Sequence, residues 1–228
     1  LGVQAVHPVP AELVGEQMQA VMEDLRPDAI KIGMTGNVEI ISEIARLLHQ
    51  YSPRQVVLDP VMVSTSGHNL MTDEAVEAIC TLLLPEVSLV TPNLHEAAVL
   101  LQQPIHTVDD MEHAAHLVYE KYHCACLVKG GHLTGNEMCD VLYDGHELHL
   151  FGARRIHSGN LHGTGCTLSS AIATFLAQGF PLYEAVELAK TYITKAIEAG
   201  KDLHIGQGNG PLCHFPYLVN PVNPLTEE

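Results

Sequence analysis

Cys166 stands directly behind Gly163-Thr164-Gly165 and ahead of an apolar, helix-spaced stretch. Backbone amides in the first turn of a helix have no carbonyl behind them and can form an anion hole. A thiol in that turn has its thiolate favoured by the same amides and by the helix dipole, which suits Cys166 to work as a base beside a bound anion. Asp59 and Glu96 offer hard oxygen ligands for Mg2+, held through water as metals that bridge phosphates usually are. Lys129 supplies a point charge for a phosphate, with Gly130 next to it, and Thr91 and Asn93 offer polar side chains at another turn. Positioning, charge neutralisation and a base are the parts of a phosphoryl-transfer site. No Gly-x-x-x-x-Gly-Lys-Ser/Thr run occurs, which excludes a P-loop enzyme.

Each piece also has a plain structural reading. Asn93-x-x-Glu96 matches a helix capping box, although that motif prefers Ser or Thr at the cap. Asp59-Pro60 can start a turn. Lys129-Gly130-Gly131 can be a turn, and Cys166 can be a small buried hydrophobe. The conjunction, rather than any single motif, argues for chemistry.

The elements between these residues explain how they could meet. Apolar periodicity predicts helices over 11–25, 38–51, 73–84, 94–101, 108–122, 165–178 and 182–199. In the first, Leu13, Gln17, Ala20, Val21 and Leu25 fall at helical spacing; in the second, Ile40, Ile41, Ile44, Ala45, Leu47 and Leu48 turn inward. Short apolar runs predict strands over 28–34, 55–58, 87–90 and 125–129. Two more, 139–143 and 146–151, flank Asp144-Gly145, a dipeptide that favours a type I′ hairpin turn. Alternating strands and helices argue for an α/β fold, a largely parallel sheet covered by helices on both faces. With no linker or repeat, residues 1–228 read as one domain. Met34, Asp59, Thr91, Asn93, Lys129 and the glycine turn all follow strands, and ligands of open α/β sheets bind outside strand carboxyl ends.

Composition narrows the partners. The 228 residues carry 27 Asp plus Glu against 11 Lys plus Arg, a formal net charge of −16. Nucleic acid and anionic membranes are therefore not expected partners. No apolar run reaches membrane-spanning length and no secretory leader is recognisable. The six cysteines form no CxxC pair, which suits a reducing cytosol. Cys124 and Cys126 would share one strand face, too cramped for a zinc site alone, and His146-Glu147-Leu148-His149 lacks the spacing of a helical zinc motif.

The motifs KIGMTG (31–36), VVLDPVMVSTSG (56–67), LVTPNLHEAAVL (89–100), LVKGGH (127–132), HGTGCTLSSAIA (162–173) and GQGNGPLCHF (206–215) occur in this order. As a set they closely resemble the hydroxymethylpyrimidine and phosphomethylpyrimidine kinases of thiamine biosynthesis, in the ribokinase-like superfamily. The resemblance implies a central, largely parallel sheet flanked by helices. It implies phosphorylation of the pyrimidine alcohol, then of its monophosphate, with ATP and Mg2+. Gly163, Thr164, Gly165 and Cys166 would form the anion hole and base. Asn93 and Glu96 match a motif that organises Mg2+ and phosphate; Asp59 and Thr91 lie near the metal and nucleotide phosphates. Lys129, with Gly130, falls on the ATP side, and Met34 and Val61 line the pyrimidine pocket. A homodimer and a cytoplasmic location are implied too. The family's opening strand, its Gly-Ser-Asp-x-Ser-Gly-Gly-Ala-Gly loop and a pyrimidine-binding Gln would precede Leu1, so that N-terminal segment is expected to be missing from residues 1–228. Cys rather than Asp at the base position points to the pyrimidine branch. The alternatives are a pyridoxal or pyridoxine kinase of the same fold, and a non-catalytic vitamin-binding module.

Overall fold

The computed structural model describes residues 4–62, 71–131 and 137–217. Residues 63–67 and His132, part of the motifs above, lie outside the described residues. The chain runs α1 (Ala11–Asp24), β1 (Ile30–Ile32), α2 (Val38–Tyr51), β2 (Val56–Leu58), α3 (Asp73–Ala78), β3 (Leu89–Val90), α4 (Leu94–Leu101), α5 (Val108–Tyr122), β4 (Ala125–Val128), β5 (Glu137–Tyr143), β6 (Leu148–Arg154), α6 (Thr164–Ala177) and α7 (Leu182–Gly200).

The strands form one sheet in the order β1-β2-β3-β4-β5-β6. β1 to β4 are parallel, while β5 and β6 are added as an antiparallel hairpin. Every parallel crossover therefore steps one strand in the same direction. Right-handed crossovers that never reverse leave their helices on one face. α2, α3, α4 and α5 accordingly share one core with Val56, Leu58, Val90, Cys126 and Val128. The alternate residues Val57, Leu89, Ala125 and Leu127 point to the opposite face, where α6 and α7 cover them. The two-residue side-chain period of a strand divides these runs between two cores. The sequence of α2 behaves as its spacing predicts: Asn37 caps it by accepting the Ile40 N–H at 2.9 Å, and all six inward positions are buried.

Three expectations need correction. α1 packs through Ala11, Val14, Gly15, Met18 and Met22, not through the stripe carrying Leu13, Val21 and Leu25, which are exposed. Two apolar stripes run along this helix, and spacing alone does not choose between them. Gly15 lies on the packed stripe, where a Cβ would stand 2.2 Å from Glu43 Oε1 of α2. The helix expected over 73–84 is α-helical only to Ala78; it widens into a π-helical turn at Ile79–Leu83 and tightens into a 3-10 turn at Leu84–Glu86, where Pro85 cannot continue the ladder. The hairpin turn is not type I′. β5 and β6 close with Tyr143 opposite Leu148, leaving a four-residue loop. Only Gly145 has positive φ there, and Asp144 Oδ1 accepts the His146 and Glu147 N–H groups at 2.8 Å each, so the side chain adds to the Asp144 N–H to Glu147 O backbone bond at 3.3 Å in shaping the turn.

Candidate active site

The strand ends hold their functional residues through the sheet's own hydrogen bonds. The Asp59 N–H reaches Ile32 O at 2.9 Å, Thr91 N–H reaches Leu58 O at 2.9 Å, and Lys129 N–H reaches Pro92 O at 2.8 Å. Each residue just past a strand is thus fixed to the neighbouring strand, and Asp59, Thr91 and Lys129 come together. Lys129 Nζ donates to Asp59 Oδ1 at 2.8 Å, with Thr91 Oγ1 at 3.5 Å from the same oxygen. Asp59 and Thr91 are buried, at 2% and 0% exposure.

α6 arrives from the other face. It begins after the hairpin on the far side of the sheet and crosses back to pack on β1 and β2. Gly163 starts it with φ of +85°, a conformation that favours glycine, and no side chain caps the helix. The first-turn amides of Gly165 and Cys166 thus have neither a preceding carbonyl nor a capping oxygen. Gly165 faces the ion pair: a Cβ there would stand 3.3 Å from Lys129 Nζ and 3.7 Å from Asp59 Oδ2. Ser169, one turn on, lies 3.4 Å from Asp59 Oδ2 and 3.1 Å from the Gly165 and Cys166 carbonyls. Cys166 is exposed at the rim. Thr164 turns both its hydroxyl, at 2.7 Å, and its N–H, at 3.3 Å, back to Leu161 O, which leaves the Gly165 and Cys166 amides as the open donors of the turn.

Asn93 and Glu96 do form the capping box of α4. Asn93 Oδ1 accepts the Glu96 N–H at 2.9 Å, and Glu96 Oε2 accepts the Asn93 N–H at 2.7 Å. A cap alone needs no burial, yet Glu96 is 4% exposed. Burial pushes its carboxyl above the usual range, opposed first by the Lys129 charge and then by the Asn93 amide; nearby Asp59 adds to the rise and the Met62 amide opposes it. A cation near this carboxylate would favour its charged form. One lysine therefore serves two buried carboxylates. Lys129 is not the free phosphate charge that its motif suggests, because Asp59 already holds it.

Carboxylate oxygens are the donors a hard cation needs. Among the described residues no three His, Cys, Asp or Glu side chains converge as a closed metal cage. Asp59 and Glu96 fit Mg2+ in the way usual where phosphate oxygens and water complete the shell. Met34, 45% exposed, lines an apolar cleft of about 740 Å3 between α1 and β1. Val61 is half-buried in the turn after β2 and is not among the residues lining that cleft.

Residues 1–213 match the family described as phosphomethylpyrimidine kinase. The chain belongs to this family. It is 49% identical over 215 residues to the hydroxymethylpyrimidine/phosphomethylpyrimidine kinase of Rhizobium meliloti, a match covering 94% of this chain and 80% of that protein. Among solved structures it resembles the phosphomethylpyrimidine kinase of Clostridium difficile, with a TM-score of 0.75 and 39% identity over 85% of this chain and 79% of that one. It also resembles the pyridoxal kinase of Staphylococcus aureus in complex with AMP-PCP, with a TM-score of 0.85 and 32% identity over 95% of this chain and 78% of that one. The family's enzymes are kinases of the ribokinase-like fold, and the mixed six-stranded sheet agrees with that fold. Among the described residues no helix is long and apolar enough to cross a membrane.

Sequence motifs pointed to Asp59, Thr91, Asn93, Glu96, Lys129 and the Gly163–Cys166 turn. Ser169 lies within the 162–173 motif, which assigns it no role. Its signal was a hydroxyl three residues after Cys166 on an otherwise apolar helical face, which reads equally as a side chain bonding back to its own helix.

Proposed function

We propose that this chain phosphorylates 4-amino-5-hydroxymethyl-2-methylpyrimidine and then its monophosphate, with ATP as donor and Mg2+ as the phosphate-bound cation, in thiamine biosynthesis. The observation that carries the reading is the approach of the uncapped α6 turn to the Lys129–Asp59 pair, close enough that a Cβ on Gly165 would stand 3.3 Å from Lys129 Nζ and 3.7 Å from Asp59 Oδ2. An anion hole, a cation and two carboxylates surround one small volume, as transfer of a phosphoryl group requires. The nucleotide-analogue complex of the pyridoxal kinase supports ATP as the donor.

In this reading the substrate CH2OH faces Cys166. The thiolate accepts the hydroxyl proton as the oxygen attacks the γ-phosphorus, and the bond to the ADP oxygen breaks. Amides of the Gly163–Cys166 turn stabilise charge gathering on the transferred group. Lys129 faces the nucleotide phosphates, with Gly130, Thr91 and Asn93 shaping the same side. Asp59 and Glu96 would hold Mg2+ through water, which would supply charge neutralisation at the phosphate oxygens. Met34 and Val61 approach the pyrimidine from the β1 and β2 ends.

The test is ADP release with Mg-ATP and hydroxymethylpyrimidine, with Cys166→Ala as the comparison. Loss of a general base lowers turnover by about 10²–10⁴-fold, and ATP binding should change less than twofold. Equal losses in turnover and ATP affinity would remove Cys166 from the base role. A second reading, pyridoxal phosphorylation, is favoured by the close superposition on the pyridoxal kinase. A higher kcat/KM for pyridoxal than for the pyrimidine would establish it.

A further inference from the structure

A second buried ion pair lies one strand away from the first. Asp140 of β5 is 7% exposed. Its Oδ2 takes Lys190 Nζ of α7 at 2.5 Å, and its Oδ1 accepts the Gly130 N–H at 2.8 Å. The two carboxylate oxygens are thus divided between a helix cation and the backbone directly after Lys129. The apolar face of α7, with Ala185, Val186, Ala189 and Ile193, already fastens that helix to the sheet. A buried ion pair contributes little over well-packed apolar residues, so its retention asks for a purpose other than docking α7.

The backbone of Lys129 and Gly130 is pinned from both sides. The Lys129 N–H goes to Pro92 O beside β3, and the Gly130 N–H goes to Asp140 on β5. The approach to β5 is close enough that a Cβ on Gly130 would overlap Cys139 O at 1.8 Å. The side chain between these two anchors carries its Nζ to Asp59. Two buried ion pairs are therefore joined through two consecutive residues, in the order Lys190, Asp140, Gly130, Lys129, Asp59.

We propose that Asp140 and Lys190 are positioning residues of the kinase site: Lys190 orients the Asp140 carboxylate, which fixes the Gly130 amide and so aims Lys129 at the nucleotide phosphates. This rests on the reading that Lys129 serves the nucleotide. Neither residue touches a substrate; both act through the turn after β4. Removing the Lys190 cation leaves a buried carboxylate with a single donor, free to turn away from Gly130 or take up a proton.

The experiment compares Lys190→Gln, Lys190→Arg, Asp140→Asn and Lys129→Ala in the full chain, each first shown folded at the assay temperature by circular dichroism. Asp140→Asn keeps an acceptor for Gly130 and is the milder change should Lys190→Gln fail to fold. Lys190→Gln should raise the KM for ATP by about tenfold, the size expected for a lost charge-assisted hydrogen bond, while the KM for the pyrimidine stays within twofold. Asp140→Asn should fall in the same direction by less, and Lys190→Arg should stay near the parent. Hydrogen exchange at the Gly130 amide, measured without nucleotide, should quicken in Lys190→Gln and not in Lys190→Arg. A folded Lys190→Gln or Asp140→Asn with parental KM for ATP and parental Gly130 exchange would overturn the proposal. A parental KM for ATP in Lys129→Ala would instead sink the nucleotide role of Lys129, while faster Gly130 exchange in Lys190→Gln would still show the ion pair holding the turn.

Discussion

Replacing Lys129 by Met keeps the aliphatic stem and removes the charge, which isolates the electrostatic part of the Lys129–Asp59 contact. Among the described residues Asp59 would then keep only hydroxyl neighbours, Ser169 Oγ at 3.4 Å and Thr91 Oγ1 at 3.5 Å, both at the long end for hydrogen bonds. The Asp59 side chain is 3% exposed, so water cannot replace the lost ammonium, whereas Lys129 is 15% exposed and can be partly solvated by itself. Breaking a buried pair from one side costs about 3–5 kcal/mol; the partial exposure of Lys129 puts this case near the low end, about 3 kcal/mol. Asp59→Asn should cost less, about 1–2 kcal/mol, since the remaining charge is the more exposed partner. The double variant, with no charge left over, should lie within about 1 kcal/mol of Asp59→Asn, a coupling of roughly 2–3 kcal/mol. Urea denaturation at pH 7 reads this directly: with a slope of about 2 kcal/mol per molar, Lys129→Met should lower the midpoint by roughly 1.5 M. A shift below about 0.5 M, together with additive single and double variants, would refute the claim that these charges are held out of water.

Glu96→Gln should separate stability from activity. The folded-state carboxyl is raised above its ordinary value of 4.5, so Glu96 favours folding most below that value and loses this contribution as pH rises through the folded-state value. The Gln variant should therefore equal or exceed the parent in melting temperature at pH 8, with its advantage shrinking toward pH 4, while turnover falls. A parent more stable than the variant at pH 8 by more than the variant's deficit at pH 4 would contradict the sign. Gly130→Ala meets backbone rather than a flexible side chain, at 1.8 Å from Cys139 O, and should cost about 3 kcal/mol by urea denaturation. A loss under about 1 kcal/mol would mean that the β4 end can move away from β5.

Much of this architecture was legible in the sequence because it is local. The helices Leu94–Leu101 and Val108–Tyr122 fall where apolar spacing puts them, each started by a capping box. The inward face of α2 follows from its 3.6-residue period. What resisted was non-local. α1 carries two apolar stripes, and which one is buried is fixed only by its packing on the core, through Ala11, Val14 and Met18. The site's charges could be named from motifs, but not their pairing: Lys129 and Asp59 are 70 residues apart, Ser169 and Asp59 are 110 apart, and Lys190 and Asp140 are 50 apart. Asp140 lies between Met138-Cys139 and Val141-Leu142-Tyr143, a run with no alternation to say which way its carboxylate faces. Only the return of α7 across the sheet buries it.

The one-directional strand order carries a consequence for how the chain is made. As it leaves the ribosome, β1 to β4 and their crossover helices can collapse on one face while Val57, Leu89, Ala125 and Leu127 remain uncovered on the other. That apolar face stays bare until the last two helices have been synthesised, and contacts of such long separation form slowly. The nascent sheet is thus sticky for most of its synthesis, a state that invites aggregation or a chaperone. One of the two helices that cover the bare face is α6, which carries Cys166, so covering that face and bringing Cys166 to the strand ends belong to the same late stage of folding.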